Sequence, residues 1–175
     1  LLTRGGVSTP HSYITPSALG IGDTLSCSVP QDTFIAIVSH FMDGGLAVKI
    51  LLFLALIFAG LGAAGLGWYF LFPATRGQAL TQGLAAATFG IWNPFVVERL
   101  LQGHWSLLLC YGALPWIALT GTMVMSTGHY TRLTAWAALT ASMALAGFTP
   151  TGAIMGILFA PVSYTHLTLP TSDLV

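Results

Sequence analysis

Charge is scarce in this chain. Only 6% of its 175 residues are charged, with five Lys or Arg, five Asp or Glu and a net charge of zero. Soluble domains typically contain about 25% charged residues, so the composition excludes an ordinary water-facing surface. The basic residues are also dispersed, whereas nucleic-acid binding requires a basic face. We therefore exclude nucleic acid as a partner.

Residues typical of metal sites and nucleophilic catalysis are sparse as well. Cys27 lies in a polar segment and Cys110 in an apolar run, and we expect both to be unpaired. Five histidines lie far apart, at His11, His40, His104, His129 and His166. No Cys or His cluster has the spacing of a metal site, and neither a P-loop nor a Gly-x-Ser-x-Gly elbow occurs. The sequence predicts no metal site and no cofactor.

Apolar residues dominate the rest of the chain, at 55% of the sequence with a mean hydropathy of +0.82. A membrane-spanning helix needs about 20 apolar residues. Apolar runs of this kind occupy residues 46–72, 79–97, 105–125 and 133–148, and a shorter run begins at residue 153. We predict an all-α, multi-pass transmembrane bundle over residues 46–161, with four full spans and part of a fifth, in a cell membrane.

Two features inside these runs concern packing. Gly60 with Ala64, and Ala63 with Gly67, are small residues four apart, which favours close approach of a second helix. Pro115 lies within the third run and predicts a kink there. Neither feature points to a substrate.

Residues 1–45 differ from the rest and are predicted to form an extracytoplasmic loop. Proline and glycine interrupt most of this segment, but apolar residues recur at helical spacing over residues 31–42. Pro30 suits the first turn of such a helix, and Gly44 and Gly45 can end it. A helix of this length is too short to cross a bilayer, so we expect an interfacial amphipathic helix leading into the first span.

The C-terminal residues 162–175 resemble translated read-through of a sequencing adapter, because the string from Val162 to Thr171 matches one reading frame of a transposon end sequence. We expect this tail to be non-native. We also expect the remaining residues to be a fragment of a longer polytopic protein.

The charges between the spans predict an orientation. The connections that contain Arg76 and Arg132 carry no acidic residue, and cytoplasmic loops are enriched in Lys and Arg. We therefore place both connections inside the cell. The N-terminal segment and the loop of residues 93–104 are then predicted to lie outside.

That outer loop contains a rare concentration of polar residues between two apolar runs. We predict a short helix after Pro94 that ends at Gly103. On such a helix Glu98 and Gln102 share a face, and Arg99 neighbours Gln102 at a spacing of three. The helix would therefore present one polar patch at the membrane boundary.

Two interpretations of this patch remain open. It can be a solvated turn with a weak local ion pair. Alternatively it is a substrate site, in which Arg99 holds a phosphate, Glu98 or Asp23 takes a proton, and His104 donates a hydrogen bond. Gln102 is then a further substrate-binding residue. Polar groups beside an apolar surface would suit a ligand that is part lipid and part sugar phosphate.

The residues Asn93-Pro94-Phe95, Glu98 to Trp105 and Tyr111 resemble large polytopic GT-C-type membrane glycosyltransferases. The resemblance is to arabinofuranosyltransferase-like and uncharacterised bacterial integral membrane proteins. The segments 19–23 and 29–32 are similar to the first outer loop of such proteins. The resemblance covers most of residues 1–160.

This resemblance implies transfer of a sugar from a polyprenyl-phosphate donor in the membrane to a cell-envelope glycan on the outer side. Members of the family carry a catalytic Asp or Glu in the first outer loop, where this chain has Asp23 and Asp32. The paired acidic motif common at that position is missing here. Asp23 and Glu98 are thus the predicted catalytic carboxylates, and the predicted partners are membrane lipid, the lipid-linked donor and the glycan acceptor.

Two other functions remain as alternatives. A secondary transporter also uses broken helices and buried polar residues, although the charges here lie at the boundaries of the predicted spans. A non-catalytic scaffold subunit would use the helix over residues 31–42 to dock a partner.

Overall fold

The computed structural model describes residues 29–71, 75–126 and 129–168. This part of the chain contains seven helices and no strand, which confirms the all-α class. The helices are α1 (Val29–Val38), α2 (Gly44–Leu71), α3 (Arg76–Ile91), α4 (Pro94–Gln102), α5 (Trp105–Ser126), α6 (His129–Ala146) and α7 (Pro150–Thr168).

The long helices alternate in direction along the chain. Gly60 of α2 lies against Ile91 of α3 and Gly67 lies against Ala86, so these two helices are antiparallel. The helices α2 and α5 run in the same direction, because α5 follows two reversals of the chain. As a result α1, α4 and the first residues of α2, α5 and α7 share one end of the bundle. Arg76 and Arg132, which lie in the first turns of α3 and α6, are at the opposite end.

Small residues bring α2 and α3 together, as the sequence predicts. Beside the contacts of Gly60 and Gly67, Gly90 of α3 packs on Ala63, and Gly83 packs on Ala64. A methyl group at Gly90 would lie 2.8 Å from the Ala63 Cβ. Both helices therefore carry their small residues on the faces that meet.

The contact between α2 and α5 is closer still. A methyl group on Gly112 would lie 2.8 Å from the Ala55 carbonyl oxygen, so the backbones meet where only glycine fits. Further along, the Trp116 Nε1 donates a hydrogen bond of 2.9 Å to the Phe58 carbonyl oxygen, and the two rings stack with centroids 4.9 Å apart. Gly62 leaves the space that the Trp116 ring occupies.

Two glycines of α7 pack against α5 and α6, a contact that was not predicted from the sequence. Gly152 lies against Cys110 of α5 and the Ala146 carbonyl oxygen, and Gly156 lies against Ala146 and Ile117. Their four-residue spacing is the same signal that predicted the α2–α3 contact. Cys110 is fully buried here and unpaired.

Two described helices, α2 and α5, are long and apolar enough to cross a membrane. Only 39% of the most apolar stretch of α2 is buried within the structure, and 56% of the corresponding stretch of α5. Exposed apolar side chains continue along α2, at Leu46, Ile50, Phe53, Leu54, Ile57, Leu61 and Trp68. Monomeric soluble proteins rarely expose a continuous apolar surface of this kind, which supports association with a membrane.

The predicted second span, residues 79–97, is wrong at its C-terminal end. The helix α3 stops at Ile91 because Asn93 caps a new helix and Pro94 has no amide hydrogen to continue the old one. With 16 residues, α3 extends roughly 24 Å, which is less than the hydrocarbon thickness of about 30 Å.

The predicted N-terminal helix is also displaced. Instead of residues 31–42, α1 covers Val29–Val38, with Pro30 in its first turn. Short-range bonds, such as Phe41 N to the Val38 carbonyl oxygen at 3.0 Å, end it in a turn. Gly44 begins α2 rather than ending α1, since the Asp43 side chain accepts from Leu46 N at 2.9 Å and caps the new helix.

The last helix crosses the boundary predicted at residue 162. The backbone of α7 is helical from Pro150 to Thr168, so it begins before the run at residue 153 and continues into the predicted adapter-derived tail. Thr149 caps α7, because its hydroxyl accepts from Gly152 N at 3.0 Å.

Candidate functional site

The loop that the sequence analysis singled out is a capped helix, α4, at the end of the bundle shared with α1. Asn93 caps its N-terminus, because the Asn93 Oδ1 accepts from Val96 N at 3.1 Å. Pro94 occupies the first helical position, where a missing amide hydrogen costs nothing. The predicted start of this short helix is confirmed.

The Asn93 amide nitrogen ties α4 to two further helices. Asn93 Nδ2 donates to the carbonyl oxygens of Phe89 at 3.1 Å and Gly90 at 3.2 Å, near the end of α3. It also lies 2.9 Å from the Tyr111 hydroxyl of α5, which donates to the Gly90 carbonyl oxygen at 2.9 Å. One side chain therefore joins α3, α4 and α5.

Gly103 ends α4 in the left-handed conformation, with φ 74° and ψ 21°. Gly103 N donates to the Leu100 carbonyl oxygen at 3.2 Å and His104 N to the Arg99 carbonyl oxygen at 3.0 Å. This pair of bonds is a Schellman motif, which favours glycine because a Cβ is disfavoured at positive φ. The predicted end of α4 is confirmed, and the reversal places His104 beside the last turn of the helix.

Four of the five predicted site residues form one hydrogen-bonded group, which we call the polar cluster: Glu98, Arg99, Gln102 and His104. Arg99 Nη1 donates to Gln102 Oε1 at 2.8 Å, and Arg99 Nη2 donates to Glu98 Oε1 at 3.0 Å. Gln102 Nε2 donates to the same Glu98 oxygen at 3.1 Å. The fifth residue, Asp23, lies outside the described residues.

His104 completes the cluster. Its Nδ1 lies 3.2 Å from Arg99 Nη1. A guanidinium group only donates hydrogen bonds, so a bond between these two atoms requires the His104 tautomer in which Nδ1 accepts and Nε2 carries the proton. His104 is exposed, so this Nε2–H group is a hydrogen-bond donor at the rim of the cluster.

The Arg99 guanidinium group contacts an aromatic ring in addition to its hydrogen-bond partners. Its guanidinium carbon lies 5.5 Å from the centre of the Phe95 ring, in range of a cation–π contact. The Phe95 ring contacts the Tyr111 ring, with centroids 5.3 Å apart. The Arg99 Nε is buried and makes no hydrogen bond within the described structure. Tyr111 thus supports the ring on which Arg99 rests.

Part of the polar cluster is exposed to solvent. The Glu98 side chain is 55% exposed and that of Arg99 22%. Neighbouring apolar residues form a buried core cluster beneath α4: Leu52, Ala55, Val96, Leu108 and Leu109. The site is therefore a polar surface directly above the apolar core.

Sequence reasoning missed the contribution of Asn93 and Tyr111 to this site. Asn93-Pro94 is a recognisable helix start, so the cap itself was available from the sequence. The bond between Asn93 and Tyr111 was not, because their separation of 18 residues has no local periodicity. Asp32, the other carboxylate of the first loop, lies in the first turn of α1.

Among the described side chains, no three His, Cys, Asp or Glu residues are grouped as metal ligands would be. Comparison with known protein families, curated proteins and solved structures finds no match for this chain. The resemblance to GT-C-type glycosyltransferases therefore stays a prediction.

Proposed function

We propose that this chain is part of a multi-pass membrane glycosyltransferase, with the polar cluster at the outer membrane face. The substrate would be a polyprenyl-phosphate-linked sugar and the acceptor a cell-envelope glycan. The observation that carries the proposal is that Glu98, Arg99, Gln102 and His104 form one connected cluster above an apolar core.

The membrane part of the proposal goes beyond the two helices that meet the criteria for crossing. In this proposal α6 also spans, with 18 residues, and α7 is part of a fifth span. The helix α3, with 16 residues, spans as well, because a bilayer thins locally around a helix shorter than its hydrocarbon thickness. The outward faces of these helices support it, because they expose large apolar residues: Leu80, Leu84 and Phe89 on α3, Leu133 and Trp136 on α6, and Ile154, Ile157 and Leu158 on α7.

The donors of the cluster fit a phosphate group. Arg99 Nη1 uses both hydrogens within the cluster, but Nη2 uses one of two. The His104 Nε2–H and the second hydrogen of Gln102 Nε2 are further donors on the exposed side. Together they would hold the leaving phosphate of a lipid-linked sugar, with the charge of Arg99 offsetting the developing negative charge.

Glu98 supplies the base in this proposal. Its Oε1 accepts two hydrogen bonds, from Arg99 and Gln102, which aims the carboxylate and leaves Oε2 to accept a proton. The acceptor hydroxyl oxygen would attack the anomeric carbon of the donor sugar and pass its proton to Glu98. The bond from that carbon to the phosphate oxygen would break, and the electron pair would leave with the polyprenyl phosphate.

Transport is supported less well by the polar groups inside the bundle. The buried Thr120 and Thr122 hydroxyls donate to carbonyl oxygens of their own helix, Trp116 at 2.6 Å and Leu119 at 2.7 Å. The Trp116 indole is likewise bonded to Phe58. A substrate path through the membrane would need polar groups that face a cavity, whereas these bonds close within the bundle.

The test uses the intact protein in lipid nanodiscs, with a radiolabelled polyprenyl-phosphate-linked pentose and a cell-envelope oligosaccharide acceptor. Glu98→Gln and Arg99→Gln should each lower transfer by about 100-fold or more. Arg76→Gln is the matched control, since it removes the same charge at the opposite end of the bundle and should leave transfer unchanged.

Two results would contradict the proposal. If both cluster variants transfer sugar at the wild-type rate, Glu98 and Arg99 have no part in the reaction. If the wild-type protein transfers no sugar but moves a labelled solute into liposomes, the chain belongs to a transporter.

A further inference from the structure

The exposed surface of α4 has an apolar stripe that the sequence analysis did not identify. Pro94, Val97 and Leu101 are all exposed, the last two by 40% and 59%. Their spacings of three and four residues place them on one side of the helix. This nine-residue helix therefore exposes three apolar side chains along one side.

A polar stripe lies directly beside the apolar one. Glu98 and Gln102 each follow a residue of the apolar stripe and are rotated from it by about 100° around the helix axis. Both are exposed, and the Gln102 Nε2 donates to Glu98 Oε1 at 3.1 Å. Val96 lies on the inward face of α4, where it is 1% exposed and belongs to the core.

The apolar stripe also continues into neighbouring exposed residues. Phe89 at the end of α3 and Trp92 in the connection to α4 are each 78% exposed. The outward apolar surface of α3 thus leads into α4 without a polar break at Trp92. Aromatic residues such as Trp are enriched where membrane proteins meet the interface between lipid and water.

We propose that α4 lies in the plane of the outer leaflet, with Pro94, Val97 and Leu101 among the acyl chains and with Glu98 and Gln102 towards the headgroups and water. The occupant of the apolar stripe is the lipid monolayer, because the stripe continues the lipid-facing surface of α3. This inference depends on the membrane placement in the proposed function and is independent of sugar transfer.

The dimensions and the side-chain contacts agree with this placement. A nine-residue helix extends roughly 13.5 Å, too little to cross a hydrocarbon core of about 30 Å. A helix with one apolar and one polar side is stable along the interface. Glu98, Arg99 and Gln102 bind one another, so the polar side needs no protein partner.

One consequence concerns the substrate of the proposed transferase. An amphiphile beside α4 would place its chain along Val97 and Leu101 and its charged group at the polar cluster. The same helix would therefore set the depth of the cluster in the membrane and align a lipid-linked phosphate with it.

The test is site-directed spin labelling of the intact protein in nanodiscs of phosphatidylcholine and phosphatidylglycerol. Single cysteines are introduced by Val97→Cys and Leu101→Cys on the apolar stripe, and by Glu98→Cys and Gln102→Cys as matched controls on the polar stripe. Phe53→Cys on α2 reports a lipid-facing position of a full span. Collision rates with oxygen, which enters lipid, and with a water-soluble nickel chelate are compared.

The background for these variants is Cys27→Ser. Cys110 is kept, because it is 0% exposed and contacts Gly152, and the labelling stoichiometry of the background variant checks that it does not react. Val97 and Glu98 are neighbours on one helix, as are Leu101 and Gln102. Comparing the collision rates within each pair therefore gives a result that does not depend on how deep the bundle lies in the membrane.

We expect labels at Val97 and Leu101 to collide with oxygen several-fold more, relative to nickel, than labels at Glu98 and Gln102. Equal nickel access at all four positions would overturn the interfacial placement of α4 alone, provided that Phe53 remains accessible only to oxygen. Protection of Val97 and Leu101 from both reagents would also overturn it and would indicate a protein partner or a second copy. Nickel access at Phe53 would overturn the membrane placement and this inference together.

Discussion

The Asn93 amide nitrogen lies 2.9 Å from the Tyr111 hydroxyl, and the two residues are 18 positions apart in the chain. Both groups also bind the Gly90 carbonyl oxygen. This triangle connects the end of α3, the start of α4 and the interior of α5. The triangle holds the first turn of α4, the helix that carries Glu98, Arg99 and Gln102 of the polar cluster.

The first prediction concerns this corner. Asn93→Ala removes the helix cap and the contacts of Nδ2, and should lower the free energy of unfolding by about 2 kcal/mol. Asn93→Asp keeps the capping oxygen and loses the donor, so its effect should be smaller. Unfolding in mixed micelles with increasing SDS measures both. Equal effects of the two substitutions would mean that the cap contributes nothing.

The close approach of α2 and α5 gives a second prediction. Gly112→Ala would place a methyl group 2.8 Å from the Ala55 carbonyl oxygen and should destabilise the bundle by about 1–3 kcal/mol. Gly121 lies on the same helix with nothing within 4 Å of such a methyl group. Gly121→Ala should therefore be neutral or stabilising by up to about 1 kcal/mol. Matching losses for both variants in the same unfolding assay would argue against this helix contact.

The indole of Trp116 gives a third prediction. Trp116→Phe keeps an aromatic ring that can stack on Phe58 but loses the bond from Nε1 to the Phe58 carbonyl oxygen. The free energy of unfolding should fall by about 0.5–1.5 kcal/mol. Trp136→Phe is the control, because Trp136 is exposed and should tolerate the change. A neutral Trp116→Phe would show that the indole bond does not stabilise the bundle.

A fourth prediction separates stability from function. Glu98 is exposed and its ion pair with Arg99 is open to solvent, so Glu98→Gln should change the free energy of unfolding by less than about 1 kcal/mol. The same variant should lose sugar transfer. Thermal unfolding measured beside the transfer assay tests both parts. If Glu98→Gln instead unfolds the protein, the loss of transfer would say nothing about catalysis.

The orientation gives a fifth prediction. Arg76 and residue 99 lie at opposite ends of the bundle. We therefore expect a reporter fused after residue 76 to lie in the cytoplasm, where green fluorescent protein fluoresces. A reporter fused after residue 99 should lie outside, where alkaline phosphatase is active. Alkaline phosphatase and green fluorescent protein fusions distinguish the two sides. Cytoplasmic activity at residue 99 would place the polar cluster on the inner face.

Part of the candidate site could be predicted from sequence because its bonds are local. Glu98, Arg99 and Gln102 are separated by one, three and four positions, and on a helix these spacings fix which side chains meet. Gly103 could be predicted to end the helix for the same reason, since the preference of glycine for positive φ is a property of one residue. The span prediction for residues 79–97 failed because hydropathy averages over the Asn93-Pro94 break.

The sequence by itself determined the helical class, the apolar character of the outward surfaces and the local order of the polar cluster, because composition, side-chain periodicity and capping act within a few residues. Only the tertiary structure decided that Tyr111 supports Asn93 and Phe95, that Gly152 and Gly156 seat α7 on α5 and α6, and that Gly112 meets the backbone of α2. These contacts join residues distant in the chain, and their geometry follows from how closely whole helices can pack.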